Sequence, residues 1–495
     1  MIRLIMKKPI LIYIFIKNFF YKKYIINILC NVNILNLYKK YRLFQLLIFI
    51  SIIFYIEYEN ISSKYELDIN KYYIKLQKDL NLTFYKQLKK KINLAIYYNS
   101  IKNGGVERIT SLLLNYLNNV KIFNLYLLTQ KPKEDDEYSI PIKIKRIIVN
   151  SKRKNELIKI LNKENIDLLI YHFYNNIEIE ELNNLKNTKT IIYNNSCFLF
   201  WIYSNLFYFF KTVYKSYKKA KFIISLVPFE NGYLFKKWGI NSIFMNNFIS
   251  FEYNYVIPSD LSSNTILMVG RGADRYKRFD LGVEAMKHIV KEIPESDMKI
   301  ISDTYLMNFL ENIVNLLNLG NNIKFIGYSS NPEIYYKNAS LHLFPSISES
   351  FGLILSETKI FGIPNILVGL DYMSISNGGT VIIYDDNSIS IAKEAIKILK
   401  NEKYKKQLGK EARKSMKKFK NELLLKKWIK LILSIYNGLN YYEKIRNEDR
   451  KISVKYAINI LEKQVELLKI RLPNFKNITM EDIENFTYME NLEKI

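Results

Sequence analysis

Cysteine and histidine are scarce in this chain of 495 residues, which has 2 Cys and 3 His. Two cysteines, Cys30 and Cys197, cannot form a disulfide framework or a cysteine-rich zinc site, and three histidines leave few ways to build any metal centre. Glycine (16) and proline (10) are also few, beside abundant Lys, Asn, Ile, Tyr and Phe, as is typical of proteins encoded by an AT-rich genome. The sequence therefore indicates neither a disulfide-stabilised nor a metal-rich protein.

Apolar and aromatic residues, by contrast, are plentiful. Hydrophobic residues make up 49% of the chain and aromatic residues 14%, with 39 Tyr and 29 Phe. This is enough apolar surface to offset the conformational entropy of the chain, so overall disorder is excluded. At about 150 residues per domain, the length predicts roughly three domains, or two large ones with extensions.

The charge of the chain is strongly unbalanced, because 74 Lys and Arg face 47 Asp and Glu and leave a net charge of +27. A basic field of this size is typical of proteins that bind nucleic acid or anionic membranes. Lysine far outnumbers arginine here, however, whereas nucleic-acid readers rely on the bidentate arginine fork. We therefore expect no nucleic acid among the partners. We attribute most of the lysine to the overall composition of the chain and expect these residues on the solvent-exposed faces of helices.

The first 90 residues form an apolar and basic N-terminal extension. Residues 43–56 are its longest uncharged apolar stretch. As a helix they would span about 21 Å, against roughly 30 Å of hydrocarbon, and no small-residue cleavage site follows them. We expect a helical extension that contacts a membrane surface through residues 1–60, in a cytoplasmic protein attached peripherally or monotopically. The alternative is an amphipathic extension packed on the protein's own surface.

Short apolar strands alternate with helices in two successive series after this extension. The first series covers residues 91–250 and begins with INLAIYY (92–98); the second covers residues 265–425. Residues 251–264 between them are predicted to be a linker, and residues 426–495 to be C-terminal helices and a tail. The pattern predicts an α/β fold of two Rossmann-like, doubly wound parallel-sheet domains facing a cleft, where ligands bind at the carboxyl ends of the strands.

The last helical stretch, residues 451–470, carries five apolar residues on one face: Val454, Ile458, Leu461, Val465 and Leu468. This spacing is typical of a helix packed on another surface. We expect that surface to belong to the protein's own domain, and the alternative is a surface on a partner.

Three turns at predicted strand ends carry the chemistry. The first contains Gly104 and Gly105 in NGGVER, where paired glycines let backbone amides approach an anion at the start of a helix. The second, VGRGADRYKRFD, includes Arg271 and Lys277 among four cations within eight residues, which suits a diphosphate. Neither turn is a G-x-G-x-x-G fingerprint or a Walker-type motif, and each alone is also compatible with an ordinary loop.

The third turn, PSISESFGLILSE, leads into a predicted helix. Glu349 precedes this helix and Glu357 lies about one turn inside it, so that their carboxylates can accept hydrogen bonds from sugar hydroxyls. The amides of Phe351, Gly352 and Leu353 are available to an anion at the helix start. The ordinary alternative for two such carboxylates is a solvated helix face.

In their order and spacing, GGVER, VGR-x5-KRFD and SESFGLILSE-x4-GIP resemble the retaining family 4 glycosyltransferases of the GT-B fold, over roughly residues 91–440. The resemblance implies a nucleoside-diphosphate sugar as donor. In such enzymes the Gly-Gly loop lies against the donor diphosphate and sugar, which here means Gly104 and Gly105. Cations of the second loop neutralise the diphosphate, and here these are Arg271 and Lys277.

The resemblance also assigns the carboxylates and the helix start. Glu349 is expected near the hydroxyls of the donor sugar, for positioning and charge stabilisation rather than as a covalent nucleophile, and Glu357 is expected on the ribose. The amides of Phe351, Gly352 and Leu353 contact the donor between them. We expect no cofactor and no metal requirement, because cations and helix dipoles stabilise the charge of the leaving nucleoside diphosphate.

Two further positions are assigned to the acceptor side. His172, at the end of the strand DLLIYHF, matches the place where relatives often carry a histidine in the acceptor cleft; the alternative is a core histidine. Residues 194–196 (Asn-Asn-Ser) follow another strand end and are placed there without a specific motif. His288 and His342 are expected to be structural.

The resemblance therefore implies a transferase that moves a sugar from a nucleoside-diphosphate donor to an acceptor hydroxyl with retention of the anomeric configuration. The expected acceptor is a glycan, a glycolipid or other lipid-linked saccharide, or an envelope polysaccharide. The competing hypothesis is a catalytically degenerate GT-B chain that binds a glycan or a polyanion.

Overall fold

A computed structural model describes residues 90–438, with gaps at 103, 154, 174–175, 198, 201–206, 232–237, 241, 273–274, 304–306 and 330, and residues 454–471. The described residues belong to one compact unit. The predicted membrane-contacting residues 1–60, with the apolar stretch 43–56, lie outside the described residues. In the part of the chain that is described, no helix is both long and apolar enough to cross a bilayer.

The first domain is built on a parallel sheet of seven strands among the described residues, in the order β3-β2-β1-β4-β5-β6-β7. Apolar runs such as Leu94–Ile96 are buried on both faces of the sheet, because helices cover both of them. The strands are β1 (Ile92–Tyr98), β2 (Phe123–Thr129), β3 (Lys145–Ile148), β4 (Leu168–Tyr171), β5 (Lys189–Asn194), β6 (Phe222–Ser225) and β7 (Ile243–Phe244). The helices are α1 (Gly105–Asn118), α2 (Glu156–Lys163), α3 (Asn176–Asn183) and α4 (Phe207–Lys219).

The second domain repeats this architecture with a six-stranded parallel sheet in the described residues, in the order β10-β9-β8-β11-β12-β13. Its strands are β8 (Thr265–Val269), β9 (Asp297–Ile301), β10 (Ile323–Phe325), β11 (Leu341–Phe344), β12 (Asn365–Val368) and β13 (Thr380–Ile383). Its helices are α5 (Phe279–Glu292), α6 (Met307–Leu316), α7 (Glu333–Tyr336), α8 (Leu353–Ile360), α9 (Ser388–Lys400) and α10 (Glu402–Ser415). Apolar side chains of α5 and α9, including Val283, Met286 and Ile398, fill the core against the sheet.

Both sheets are doubly wound, which confirms the predicted fold. β1 lies between β2 and β4 in the first sheet, and β8 lies between β9 and β11 in the second. The order in which successive strands are added to each sheet therefore reverses beside β1 and beside β8. This reversal opens a crevice at the carboxyl ends of the strands. The turns that follow β1, β8 and β11 are the three turns that the sequence singles out.

Two further helices, α11 (Asn421–Asn437) and α12 (Val454–Arg471), follow the second domain. α11 packs on the first domain, where Trp428 meets Tyr193 edge to face at 5.2 Å between ring centroids. The Nζ of Lys189 also donates to the backbone oxygen of Ile435 at 2.6 Å. The predicted boundary between residues 425 and 426 thus falls inside a helix that joins the two domains.

The linker between the domains is held by one arginine of α10. The guanidinium of Arg413 donates to the backbone oxygens of Tyr253 and Val256, at 3.0 and 2.8 Å, and to that of Ile360 at 2.6 Å. It also lies 4.6 Å from the centre of the Tyr253 ring. These contacts tie the linker to the end of α8.

Candidate functional site

A cavity of about 490 Å³ lies between the two domains, at the carboxyl ends of both sheets. The turns after β1 and β5 form one wall, and the turns after β8, β9 and β11 form the other. The predicted site residues that line it are Gly104, Gly105, Arg271, Lys277, Glu349, Phe351, Gly352, Leu353 and Glu357. The fold therefore brings together, around one cavity, residues that the sequence places in three separate turns.

The glycine turn brings the start of α1 to the cavity wall. Gly104 is the residue before the helix and has an extended backbone (φ −148°). A Cβ on Gly104 would lie 1.9 Å from the Oε2 of Glu107, whereas a Cβ on Gly105 would meet nothing within 4 Å. Gly104 therefore makes room for the Glu107 carboxylate at the helix start, and Gly105 leaves open space at the wall.

The basic turn after β8 carries the cations. The Nζ of Lys277 donates to the Oε1 of Glu349 and lies 5.6 and 5.9 Å from the ring centres of Tyr276 and Phe344. The backbone N–H of Gly272 donates to the Oδ1 of Asp303 at 3.0 Å, which fixes the start of the turn. The Lys277 ammonium thus sits between two aromatic rings and faces the carboxylate of the third turn.

The third turn is held from both domains. The backbone N–H of Glu349 donates to the hydroxyl oxygen of Tyr372 at 3.0 Å, and the hydroxyl of Ser350 donates to the backbone oxygen of Asn195, in the first domain, at 2.6 Å. Gly352 precedes α8 in the left-handed region (φ +79°), which glycine adopts without strain. The turn and the first residues of α8 therefore present their backbone to the cavity.

Glu357 is an ionic contact between the domains. Its side chain is fully buried, and its Oε1 lies 2.7 Å from the Nη1 of Arg108, on α1 of the first domain. The hydroxyl of Tyr336 donates to its Oε2 at 2.7 Å. Burial, and then the Glu357 carboxylate, raise the pKa of the Tyr336 hydroxyl well above its usual value, so that it remains a donor. The sequence did not assign roles to Arg108 and Tyr336, because neither contact is visible in local spacing.

His172 lies behind the described wall of the cavity and is buried. Its Nδ1 is 2.7 Å from the Nδ2 of Asn195, and its Nε2 is 3.4 Å from the hydroxyl oxygen of Thr110. Burial lowers the pKa of His172 to about 3, so its imidazole is neutral at physiological pH. Two residues that contact His172 line the cavity: Asn195, and Tyr98, whose ring centre is 5.4 Å from that of His172. The role of His172 in acceptor binding stays a prediction.

The other residues that the sequence analysis singled out also divide into residues that line the cavity and residues that do not. Ser196 lines the cavity beside Asn195, whereas Asn194 is buried and its Oδ1 accepts the backbone N–H of Ser196 at 3.1 Å. His342 is buried in β11, with its Nδ1 2.8 Å from the Oδ1 of Asn365. His288 lies on α5.

Aromatic side chains complete the cavity wall, at positions that no pattern in the sequence indicates. Phe200 of the first domain and Tyr276 of the second meet edge to face at 5.1 Å between ring centroids. Tyr98, Tyr138 and Tyr328 also line the cavity. Burial raises the pKa of Tyr138 to about 12, so that its hydroxyl stays protonated. These rings provide apolar faces and hydroxyl donors of the kind that sugar and base rings contact.

Charge at the site comes from paired side chains and helix ends. Among the described residues, gaps aside, no group of three or more His, Cys, Asp or Glu side chains is placed to hold a metal ion. Within the described ranges, the positive charge at the cavity comes from arginine and lysine side chains. Arg271 is exposed on the wall of the second domain.

Comparison with known proteins agrees with this geometry. Residues 252–415 match the family model of glycosyl transferases group 1. A relative from Campylobacter jejuni, named as a PP-undecaprenol alpha-1,4-N-acetyl-D-galactosaminyltransferase, is 26% identical over 209 residues, which is 40% of this chain and 55% of that protein. The chain spans about a third to just over a half of the length of the curated relatives that it matches first.

Solved structures extend the similarity to both domains. Sucrose-phosphate synthase from Thermosynechococcus elongatus has a TM-score of 0.59 at 16% identity, over 70% of this chain and 100% of that one. HepE from Anabaena, solved with UDP and glucose, has a TM-score of 0.55 at 12% identity, over 69% of this chain and 99% of that one. Residues 252–415 therefore match the family of glycosyl transferases group 1, and the two α/β domains of the chain together have the GT-B fold.

Proposed function

We propose that this chain is a glycosyltransferase that transfers a sugar from a nucleoside-diphosphate donor to an acceptor hydroxyl with retention of the anomeric configuration. One observation carries the proposal. The Lys277–Glu349 pair and the start of α8 meet at one cavity, between two parallel sheets and on the side of their carboxyl ends. A cation, a carboxylate and helix-start amides together suit a phosphorylated sugar, whose phosphate is anionic and whose hydroxyls are hydrogen-bond donors.

The diphosphate is the part of the donor that needs positive charge. As the bond between sugar and phosphate breaks, negative charge grows on the phosphate oxygens, so cations fixed beforehand at that place lower the barrier. In our proposal, Arg271 and Lys277 on one wall supply this charge together with the start of α8, without a metal ion. The open space at Gly105 on the opposite wall admits the donor close to the backbone of α1.

The two carboxylates take different parts of the donor. The Glu349 carboxylate lies in an ion pair with Lys277, and its backbone N–H is held by Tyr372, so the group is fixed in position. We assign it to the sugar hydroxyls and to charge stabilisation, with the acceptor reacting on the same face that the diphosphate leaves. Glu357 is assigned to the ribose, which then shares this carboxylate with Arg108 and Tyr336.

The acceptor side is proposed at the first-domain wall, where Asn195 and Ser196 line the cavity. The Campylobacter jejuni relative is named for a PP-undecaprenol-linked substrate, and this supports a lipid-linked or envelope glycan as acceptor. Residues 1–60, rich in lysine and aromatic residues, would hold the enzyme at the cytoplasmic membrane surface, where both nucleotide sugar and such an acceptor are available.

The proposal is tested by incubating the full chain with UDP-, GDP- and ADP-sugars and measuring release of the nucleoside diphosphate, with and without excess EDTA. We expect turnover with one nucleotide class, and an equal rate in EDTA. Binding without release of nucleoside diphosphate would instead support the degenerate GT-B binding protein. Loss of all turnover in EDTA, restored by a divalent cation, would contradict the metal-free mechanism.

A further inference from the structure

Helix α12 lies outside the segment that matches the family model, yet it packs closely on the second domain. Gly369, at the end of β12, has φ +65°, and a Cβ there would lie 2.1 Å from the Cδ1 of Leu467. The side-chain amide of Gln464 donates to the backbone oxygen of Gly369 at 2.6 Å. Leu461, Val465 and Leu468 are buried as well. α12 is therefore seated against the end of β12, the strand that pairs with β11.

Arg471, the last residue of α12, reaches the loop that carries Glu349. Its guanidinium side chain is 2% exposed. Its Nη1 donates to the backbone oxygen of Ile347 at 3.2 Å, and its Nη2 to that of Val368 at 3.3 Å. Ile347 precedes Glu349 by two residues.

Ile347 is also hydrogen-bonded to the basic turn. The backbone N–H of Ile347 donates to the backbone oxygen of Tyr276 at 2.7 Å, and Tyr276 directly precedes Lys277. Ile347 is thus tied through its N–H to the turn that carries Lys277 and through its oxygen to α12.

A second route leads from Arg471 to the basic turn through Asp386. The Nη2 of Arg471 lies 3.1 Å from the Oδ1 of Asp386, whose Oδ2 lies 3.0 Å from the Nη1 of Arg278. Arg278 directly follows Lys277 and has φ +53°, in the left-handed region. The Nε of Arg278 also lies 3.3 Å from the Oδ2 of Asp280, so two arginines and two carboxylates form a charge-balanced network beside the turn that we assign to the diphosphate.

We propose that Arg471 is a positioning residue of the donor site: it holds the Glu349 loop through Ile347 and the Lys277 turn through Asp386 and Arg278. The inference rests on the proposed function in assigning a donor to this site. A buried guanidinium is stabilised only where its hydrogen bonds and charge are matched, so its removal frees both loops at once. An error of about 1 Å in such a site can lower kcat/KM about 10²-fold.

The test compares Arg471→Ala with Lys469→Ala in the full chain. Lys469 is a matched control, because it lies in the same last turn of α12 and forms an ion pair with Glu466 of that helix, at 2.8 Å. Hydrogen–deuterium exchange is measured without ligand for residues 345–352, 275–280 and 458–468, and affinity for UDP, GDP and ADP is then measured for each variant. We expect Arg471→Ala to accelerate exchange about tenfold in the first two segments and not in α12.

The control variant should exchange as the wild type does. Equal exchange in Arg471→Ala and Lys469→Ala would overturn the proposal. If Arg471→Ala loosens α12 itself, Asp386→Asn decides, because it leaves the contacts of Gln464 and Leu467 intact: faster exchange confined to residues 275–280 supports the link to Arg278, and unchanged exchange overturns it. A wild type that binds none of the three nucleotides refutes the proposed function, whereas the exchange data still decide the role of Arg471.

Discussion

Lys277 and Glu349 come from different turns of the second domain and meet in an ion pair at the cavity, with side chains 18% and 13% exposed. Lys277→Ala removes the cation that we assign to the diphosphate. Loss of one such fixed charge-stabilising group costs about 10²–10³ in kcat. We therefore expect turnover, measured as nucleoside diphosphate release, to fall by that factor while the far-UV circular dichroism spectrum stays native.

The matched control is Lys287→Ala, which removes a lysine from the exposed face of α5, the helix that follows the same turn. It should leave kcat and KM unchanged, because the net charge changes equally but not at the cavity. A full rate in Lys277→Ala, or an equal loss in both variants, would contradict a specific role for Lys277.

The sequence predicted residues that follow strand ends better than residues that meet across the cavity. Lys277 and Glu349 could be assigned because the carboxyl ends of parallel strands meet at one edge of a sheet. The ion pair between Arg108 and Glu357 could not be predicted, because it depends on how the two domains pack. The wall position of Asn195, in front of His172, depends likewise on packing within the first domain.

At the scale of one element, α8 depends on the glycine that precedes it. Gly352 has φ +79°, and a Cβ there would lie 3.2 Å from the Sδ of Met373. Gly352→Ala therefore combines a left-handed backbone for alanine with a close contact, and it should lower the free energy of unfolding by about 1–3 kcal/mol. Because the start of α8 would shift, we also expect weaker binding of the nucleoside diphosphate, measured by calorimetry beside urea unfolding.

Gly320→Ala provides the comparison for this element. A Cβ on Gly320 would meet nothing within 4 Å, and its φ lies outside the left-handed region. Its free energy of unfolding should stay within about 0.5 kcal/mol of the wild type, as for most surface substitutions. If Gly352→Ala were as stable as Gly320→Ala and bound nucleotide equally well, the geometry at the start of α8 would not be needed for binding.

Most strands of both sheets could be predicted from apolar runs, because such runs are a local pattern. The order of the strands in each sheet is not local and comes from the structure. The apolar alternation of residues 142–149 predicts a strand over that whole range, but β3 covers only Lys145–Ile148, and Ile142 is fully exposed. The packing of α11 on the first domain could not be predicted from the sequence, because an amphipathic pattern shows which face of a helix is buried but not what covers it. The predicted face of α12 is confirmed at Leu461, Val465 and Leu468.

At the scale of the whole molecule, contacts at the cavity join the two domains in the part of the chain that the structure describes. They include the Arg108–Glu357 ion pair, the Ser350–Asn195 hydrogen bond and the Phe200–Tyr276 ring contact. The ion pair is the one among these three that joins a fully buried charge to the other domain. It therefore links the relative position of the domains to the carboxylate that we assign to the ribose.

This link predicts a difference between stability and binding. Arg108→Ala leaves the Glu357 carboxylate buried without its cation, which should lower the free energy of unfolding by about 3–5 kcal/mol. Arg108→Leu combined with Glu357→Leu removes both charges, so urea unfolding should show most of that loss restored, while nucleotide affinity stays low because the ribose has lost its acceptor. Nucleotide affinity that returns together with stability in the double variant would contradict the ribose role, and an unchanged stability in Arg108→Ala would contradict the ion pair between the domains.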